Sequence, residues 1–444
     1  MRIAVIGAGP AGFYATDKLL AAGFEVDLLD ALPTPFGLVR SGVAPDHPNI
    51  KAVTRVYEKT AAKPGFRFFG GVALGEHVTR SELLERYHGV VYAIGTDLDR
   101  RLGIPGEDLR GSYPATRFVA WYNGHPDACD EAFDLSADRA VVIGNGNVAI
   151  DVARMLLLDP DEVALTDTAD HAIGPLAAAH VSEVVLLGRR GPEHAAFTNP
   201  ELRELGEMTG VDVQVDPAEL EGVAEPEEPT KRRNVEILRS YAERPPGSAG
   251  RRISLKFRRS PVAILGDDEV TGLRVVRNRI EDGRAVPTGE EEVIGCGLVF
   301  RSIGYTGRPI DEVPFDPARG LIRNDGGRVC DEDGVPHRGE YVVGWIKRGP
   351  SGVIGTNKKD AVDTVARIVE DAEAGVLGVP ASPDAAECAE WLAACAPDAV
   401  TWEGWQAIDE HERAAGEPHG RPRIKLVRLA DLVAAGRRAV RSGA

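Results

Sequence analysis

The chain has five cysteines, and none stands in a CxxC pair. That removes a dithiol redox centre and the usual spacing for zinc or an iron-sulfur cluster, so no metal is expected and electrons must travel by organic cofactor. No uninterrupted apolar run approaches the length of a membrane span. Positive charge is scarce as well: 52 Lys and Arg face 69 Asp and Glu, for a formal net charge of −17. Such a balance argues against nucleic acid or an anionic membrane as the bulk partner, while leaving room for a local basic patch. Met1-Arg2 leads directly into the strand-like Ile3-Ala4-Val5, so no leader peptide is expected and the predicted setting is cytoplasmic. The 444 residues suggest two to four domains.

What the chain does have is two glycine fingerprints, Gly7-Ala8-Gly9-Pro10-Ala11-Gly12 and Gly144-Asn145-Gly146-Asn147-Val148-Ala149. Each follows a Val- and Ile-rich run, residues 2–7 and 139–144, and opens into a helical apolar pattern. In such a strand-turn-helix the first glycine makes the tight turn and the second lets backbone approach a pyrophosphate. The third packs helix on strand, and the helix N-terminus faces the phosphates. The strands that follow end in opposite charges. Asp30 closes the first, about 20 residues on, where a carboxylate can accept ribose hydroxyls. Arg189 and Arg190 close the second and suit the 2′-phosphate of NADP. One site calls for an unphosphorylated ribose, the other for a phosphate.

Each fingerprint has a later echo, a strand ending in glycine: residues 90–95 in the first half and 298–304 in the second. This predicts an α/β fold of two Rossmann-like dinucleotide-binding domains, the second inserted into the first. Antiparallel strands are expected around residues 252–257 and 270–276, as an inserted sheet. A third strand and glycine-rich loop, Glu340 to Asn357, lacks its own βαβ unit and is expected to complete the first domain. The predicted boundaries are 1–103 for the first part of that domain, 104–320 for the insertion and 321–444 for the return with a helical tail. The turn Gly103-Ile104-Pro105-Gly106 would form one linker, and the tail carries no evident chemistry.

These residues resemble the adrenodoxin reductase type of ferredoxin-NADP reductase over nearly the whole chain. The likeness is specific at residues 33–48, at Gly188-Arg189-Arg190-Gly191-Pro192, at Glu201-Leu202-Arg203-Glu204-Leu205 and from Gly344 to Thr356. It implies FAD on the first domain, gripped by Gly7, Gly9, Pro10, Gly12, Asp30, Leu38 and Arg100, with Trp345 and the Gly352-Val353-Ile354 backbone at the isoalloxazine ring. It also implies NADPH along Asn145, Gly146, Asn147 and Val148, with the 2′-phosphate on Arg189 and Arg190 and Glu201 and Gly352 at the nicotinamide end. His47 would lie near the flavin with Glu204 close by. A neutral imidazole beside a carboxylate suits a proton relay; a histidine bonded to backbone for structural reasons is the alternative.

The reaction so implied is hydride transfer from NADPH to FAD, then one-electron transfers to a small ferredoxin-type iron-sulfur protein. Such partners are usually acidic, so docking is expected on a basic surface of the NADP domain made from Arg203, Lys231, Arg232, Arg233, Arg239, Arg251 and Arg252. Rival readings are another NADPH-dependent flavin oxidoreductase, such as the electron-feeding subunit of a glutamate synthase, and a redox sensor that holds FAD and NADPH without turnover. The missing CxxC excludes a flavin disulfide reductase.

Overall fold

Strand Arg2–Ile6 is buried along its whole length, as a strand with both faces covered must be. In the computed structural model it pairs in parallel with Glu25–Asp30 on one side and Gly89–Tyr92 on the other. The structure describes residues 1–245, 247, 249–381 and 384–442, with 438–442 by backbone alone. Two compact units are present: Met1–Val43 with His47–Asp99 and Gly304–Ala444, and Ala44–Asp46 with Arg100–Ile303. Both have the Rossmann-like α/β plan expected from the fingerprints.

The first unit is built on a seven-stranded sheet. Phe66–Gly70, Glu25–Asp30, Arg2–Ile6, Gly89–Tyr92 and Pro336–Val342 run parallel, and two short antiparallel strands extend the last edge. Side chains alternate across a strand, and the two cores follow that rule. Ile3 and Val5 join Phe13, Leu28 and Val365 on one face, while Ala4 and Ile6 join Leu29, Tyr92 and Leu392 on the other. Helices Pro10–Ala21 and Thr356–Glu373 cover the first face. The tail contributes Ala385–Cys395, Trp402–Gly416 and Leu429–Ser442.

The second unit has a six-stranded sheet whose adjacent pairs are all parallel. From edge to edge it runs Ser112–Pro114, Leu298–Arg301, Arg139–Ile143, Glu183–Leu187, Arg251–Lys256 and Val211–Val215. Arg251–Lys256 is therefore a parallel strand of the main sheet and not part of an antiparallel insert. Its alternation, with Ile253 and Leu255 buried, suits either arrangement, and only the neighbours Glu183–Leu187 and Val211–Val215 decide it. The antiparallel insert consists of Arg259–Leu265, Gly272–Glu281 and Arg284–Gly295.

The chain leaves the first unit between Asp99 and Arg100 and returns between Ile303 and Gly304, earlier than residue 320. Tyr305–Thr306 pairs at once with Leu98–Asp99. The following segment packs Val313 and Ile322 into the first unit's core. No helix among the described residues is long and apolar enough to cross a membrane.

Candidate functional sites

In the first unit Gly7 adopts φ +107, and a Cβ there would lie 2.5 Å from the Ala93 carbonyl oxygen at the end of the echo strand. A Cβ on Gly12 would lie 1.9 Å from the Gly7 carbonyl oxygen, so helix Pro10–Ala21 sits directly on its strand. Gly9 meets nothing within 4 Å on that side, which leaves a backbone face open to a ligand. The helix starts with Gly9 as N-cap and Pro10 in its first turn, with no side-chain cap, so its first N–H groups remain available to phosphate oxygens.

Asp30 is the last residue of strand Glu25–Asp30. Its carboxylate accepts from the Ala8 N–H at 2.7 Å and the Leu32 N–H at 2.9 Å. Burial pushes the carboxyl up to about 6 despite those two donors, because removal from water disfavours the charged form.

The loop after this strand closes on the fingerprint. Phe36 donates to the Ala8 carbonyl at 2.8 Å from a backbone at φ +86, which a non-glycine residue seldom adopts. Helix Leu38–Ser41 then begins with Leu38 exposed and Arg40 turned inward. Arg40 forms a two-pronged pair with Glu412 of tail helix Trp402–Gly416, at 2.9 and 2.6 Å.

The third glycine-rich segment belongs to the same unit. Gly344, at φ +79, donates to Asp360 at 2.6 Å and starts the short helix Trp345–Arg348. The Trp345 ring lies 5.6 Å from that of Tyr305, and its buried Nε1 has no hydrogen-bond partner among the described residues. Gly352 holds φ +80, Val353 is exposed and its N–H reaches the Thr356 hydroxyl at 3.2 Å, while Ile354 is half-buried. His47 is buried and starts helix Pro48–Lys51, its carbonyl accepting from Ile50 and Lys51 at 3.2 Å. Arg100 is exposed and is the first residue of the segment Arg100–Ile303 of the second unit.

In the second unit the same construction recurs. Gly144 adopts φ +141, and a Cβ there would lie 2.1 Å from the Ser302 carbonyl oxygen, just past the echo strand Leu298–Arg301. Gly146 is open on its Cβ side and caps helix Asn147–Leu157, again without a side-chain cap. Asn145 accepts from the Ala196 N–H at 2.9 Å and Asn147 from the Thr198 N–H at 2.8 Å, tying the fingerprint to the segment before helix Asn199–Leu205. Val148 is half-buried in the first turn. Arg189 is exposed and Arg190 half-buried at the end of Glu183–Leu187.

Glu201 is buried on helix Asn199–Leu205, and Glu204 accepts from Arg154 at 3.0 Å. Arg154 also pairs with Asp46, within the same unit. His47 and Glu204 belong to different units. Of the seven expected docking cations, Lys231, Arg232, Arg233 and Arg251 have acidic partners in Glu228, Glu225, Glu236 and Asp159. Arg203, Arg239 and Arg252 are exposed.

Sequence reasoning missed Asp360, Glu412 and the positive φ of Phe36. The glycine at 37 was a local signal for the turn; the two carboxylates carried none.

A family model described as pyridine nucleotide-disulphide oxidoreductase matches residues 1–187. The chain is 51% identical to NADPH-ferredoxin reductase FprA of Mycobacterium tuberculosis, across 98% of each chain. It is 40% identical to the mitochondrial NADPH:adrenodoxin oxidoreductase of Salvelinus fontinalis, covering 98% of this chain and 91% of that protein. The structure of M. tuberculosis FprA in complex with NADPH superposes with a TM-score of 0.93 at 51% identity, over 98% of this chain and 99% of that one.

Proposed function

The chain belongs to the adrenodoxin reductase-type family of ferredoxin-NADP reductases, and on that premise we propose that it is a ferredoxin-NADP+ reductase working from NADPH through FAD to a ferredoxin-type iron-sulfur protein. The observation that carries this reading is the contrast between its two fingerprints. One is followed by a carboxylate, Asp30, held by two backbone N–H groups; the other by two arginines, Arg189 and Arg190.

The first unit's residues fit FAD. Gly9 leaves a backbone face clear where Gly7 and Gly12 admit no side chain. Trp345 also presents a buried indole N–H without an acceptor among the described residues. When bound, FAD supplies the conversion of a two-electron hydride into single electrons.

The chain's own residues do the rest. Gly7, Gly9, Pro10 and Gly12 bring helix N–H groups to the pyrophosphate, and Asp30 accepts from ribose hydroxyls. Trp345 and the turn Gly352-Val353-Ile354 hold the ring end, their backbone N–H groups favouring negative charge there. Asn145, Gly146, Asn147 and Val148 seat the NADPH pyrophosphate, Arg189 and Arg190 the 2′-phosphate, and Glu201 the nicotinamide end. His47 and Glu204 are assigned proton holding, Glu204 being oriented by Arg154. Arg203, Arg239 and Arg252 are assigned to partner docking, and Arg100 to the FAD side. A cytoplasmic setting is part of the proposal, supported by five free cysteines.

The test is stopped-flow reduction of the yellow holoprotein. NADPH should bleach it much faster than NADH, and a ferredoxin should restore the colour. Flavin that stays oxidised with NADPH, or reduced flavin that no ferredoxin discharges, overturns the proposal.

A further inference from the structure

The turn bearing Arg189 and Arg190 is held from behind by residues outside the fingerprint. Three successive carbonyls, of Gly188, Arg189 and Arg190, each accept one N–H: from Arg259 at 3.1 Å, from Asn278 Nδ2 at 2.8 Å and from Arg258 at 3.0 Å. All three donors lie on the antiparallel insert or the turn entering it. Arg258 makes its bond from a backbone at φ +55, a strained conformation for a side chain of its size.

Asn278 stands out among these donors. It is 3% exposed on strand Gly272–Glu281, where the neighbouring inward positions are Leu273, Val275 and Val276. The strand's pairing with Arg284–Gly295 shifts register between Val276 and Asn278, an irregularity of the kind that re-aims a side chain. Its Nδ2 spans Arg189 O and the Ser260 hydroxyl at 2.9 Å, while its own N–H donates to Arg258 O at 2.7 Å. The side-chain Oδ1 is buried with no hydrogen-bond partner among the described residues.

A buried amide left half-satisfied is costly, and valine would fill this position without that cost. What the amide supplies is a fixed peptide plane at Arg189. That plane sets the direction in which the side chains of Arg189 and Arg190 leave the backbone, and so the spacing of two guanidinium groups around one phosphate. A cation pair discriminates well only when it is already in place before the anion arrives.

We propose that Asn278 is a positioning residue for 2′-phosphate recognition, through which the antiparallel insert tunes the preference for NADPH over NADH. The assignment rests on Arg189 and Arg190 being the phosphate ligands, as proposed above.

Binding of adenosine 2′,5′-bisphosphate and adenosine 5′-monophosphate to the holoprotein, measured by calorimetry, tests it without turnover. Asn278→Ala should weaken the bisphosphate by roughly fivefold to tenfold, the worth of one hydrogen bond, and the monophosphate by less than about twofold. With ferricyanide as acceptor, the KM for NADPH should rise with kcat retained, while kcat/KM for NADH holds. Asn278→Ser, smaller and still polar, should act in the same direction and serves if the alanine variant does not fold. In an Arg189→Ala/Arg190→Ala background, Asn278→Ala should cause no further loss, because the groups it orients are gone.

Equal weakening of both probes, or a full additional loss in the double-alanine background, would give Asn278 a merely structural role and overturn the proposal. If Arg189→Ala/Arg190→Ala itself leaves bisphosphate affinity unchanged, the phosphate reading fails, and the role of Asn278 fails with it. If that pair matters and both Asn278 variants bind as the parent does, only the present inference is refuted.

Discussion

Glu412 is a carboxylate with no exposure to solvent, and replacing it with alanine takes the carboxylate partner from Arg40 and one of two from Arg423. Arg40 loses a two-pronged pair at 2.9 and 2.6 Å, and Arg423 a bond at 3.1 Å. The Leu426 N–H, at 2.8 Å, loses its acceptor as well. Arg423 keeps Asp409 at 2.7 Å, and Arg40 keeps the Trp405 ring at 5.4 Å. Removing one partner of a buried ion pair costs about 3–5 kcal/mol. For a body of 150–250 residues each kcal/mol lowers Tm by about 2–4 °C, so a fall of roughly 6–20 °C is expected.

The pH dependence has a definite sign. Burial by itself would raise the Glu412 carboxyl, but Arg40, then Arg423 and the Leu426 N–H, hold it below the usual carboxylate value of 4.5. The stabilisation is therefore fully present above that value and disappears as pH falls through the lower folded-state one. Thermal unfolding of Glu412→Ala and the parent, compared at pH 7 and at acid pH, should show the gap closing below about 4.5. An exposed pair such as Lys359 and Asp363 should matter by well under 1 kcal/mol. A drop of less than about 2 °C at pH 7 for Glu412→Ala would falsify the claim that Glu412 anchors the loop bearing Arg40.

Two further outcomes are expected. In the apoprotein Asp30 titrates near 6, above its ordinary 3.8, so it favours the folded apoprotein more as pH drops from about 6 toward about 4. Ribose hydroxyls donate best to the ionised form, so FAD affinity should rise with pH up to about 6 and then level; fluorescence titration should find that Asp30→Asn flattens this profile, and a flat profile in the parent would contradict the assignment. Ferredoxin reduction should weaken steeply with salt while reduction of a small neutral quinone responds far less, since a neutral acceptor gains nothing from unscreened charge; equal salt responses would remove Arg203, Arg239 and Arg252 from the docking surface.

What the sequence made legible was local. Gly7 and Gly144 directly follow the strands Arg2–Ile6 and Arg139–Ile143, Asp30 ends the next strand, and Arg189 lies just past Glu183–Leu187. The echo strands were readable too, and their meaning is steric: Ala93 and Ser302 supply the carbonyls that press on the first glycines. Pairing partners were not legible. Residues 251–256 alternate in a way that fits two sheets, and strand neighbours distant in the chain chose between them. The tail looked inert because Glu412 finds its partner 372 residues away. Asn278 reads as an ordinary polar residue until the register shift turns it inward.

The interrupted first unit sets an order of events during synthesis. Leu298–Arg301 finishes the six-stranded sheet before Pro336–Val342 exists to slot in beside Gly89–Tyr92. On the ribosome the middle of the polypeptide thus closes while the leading segment waits with an unpaired strand edge, the kind of template that recruits chaperones or wrong partners. Translation pausing within that interval would lengthen the wait, and trimming the trailing segment would make it permanent.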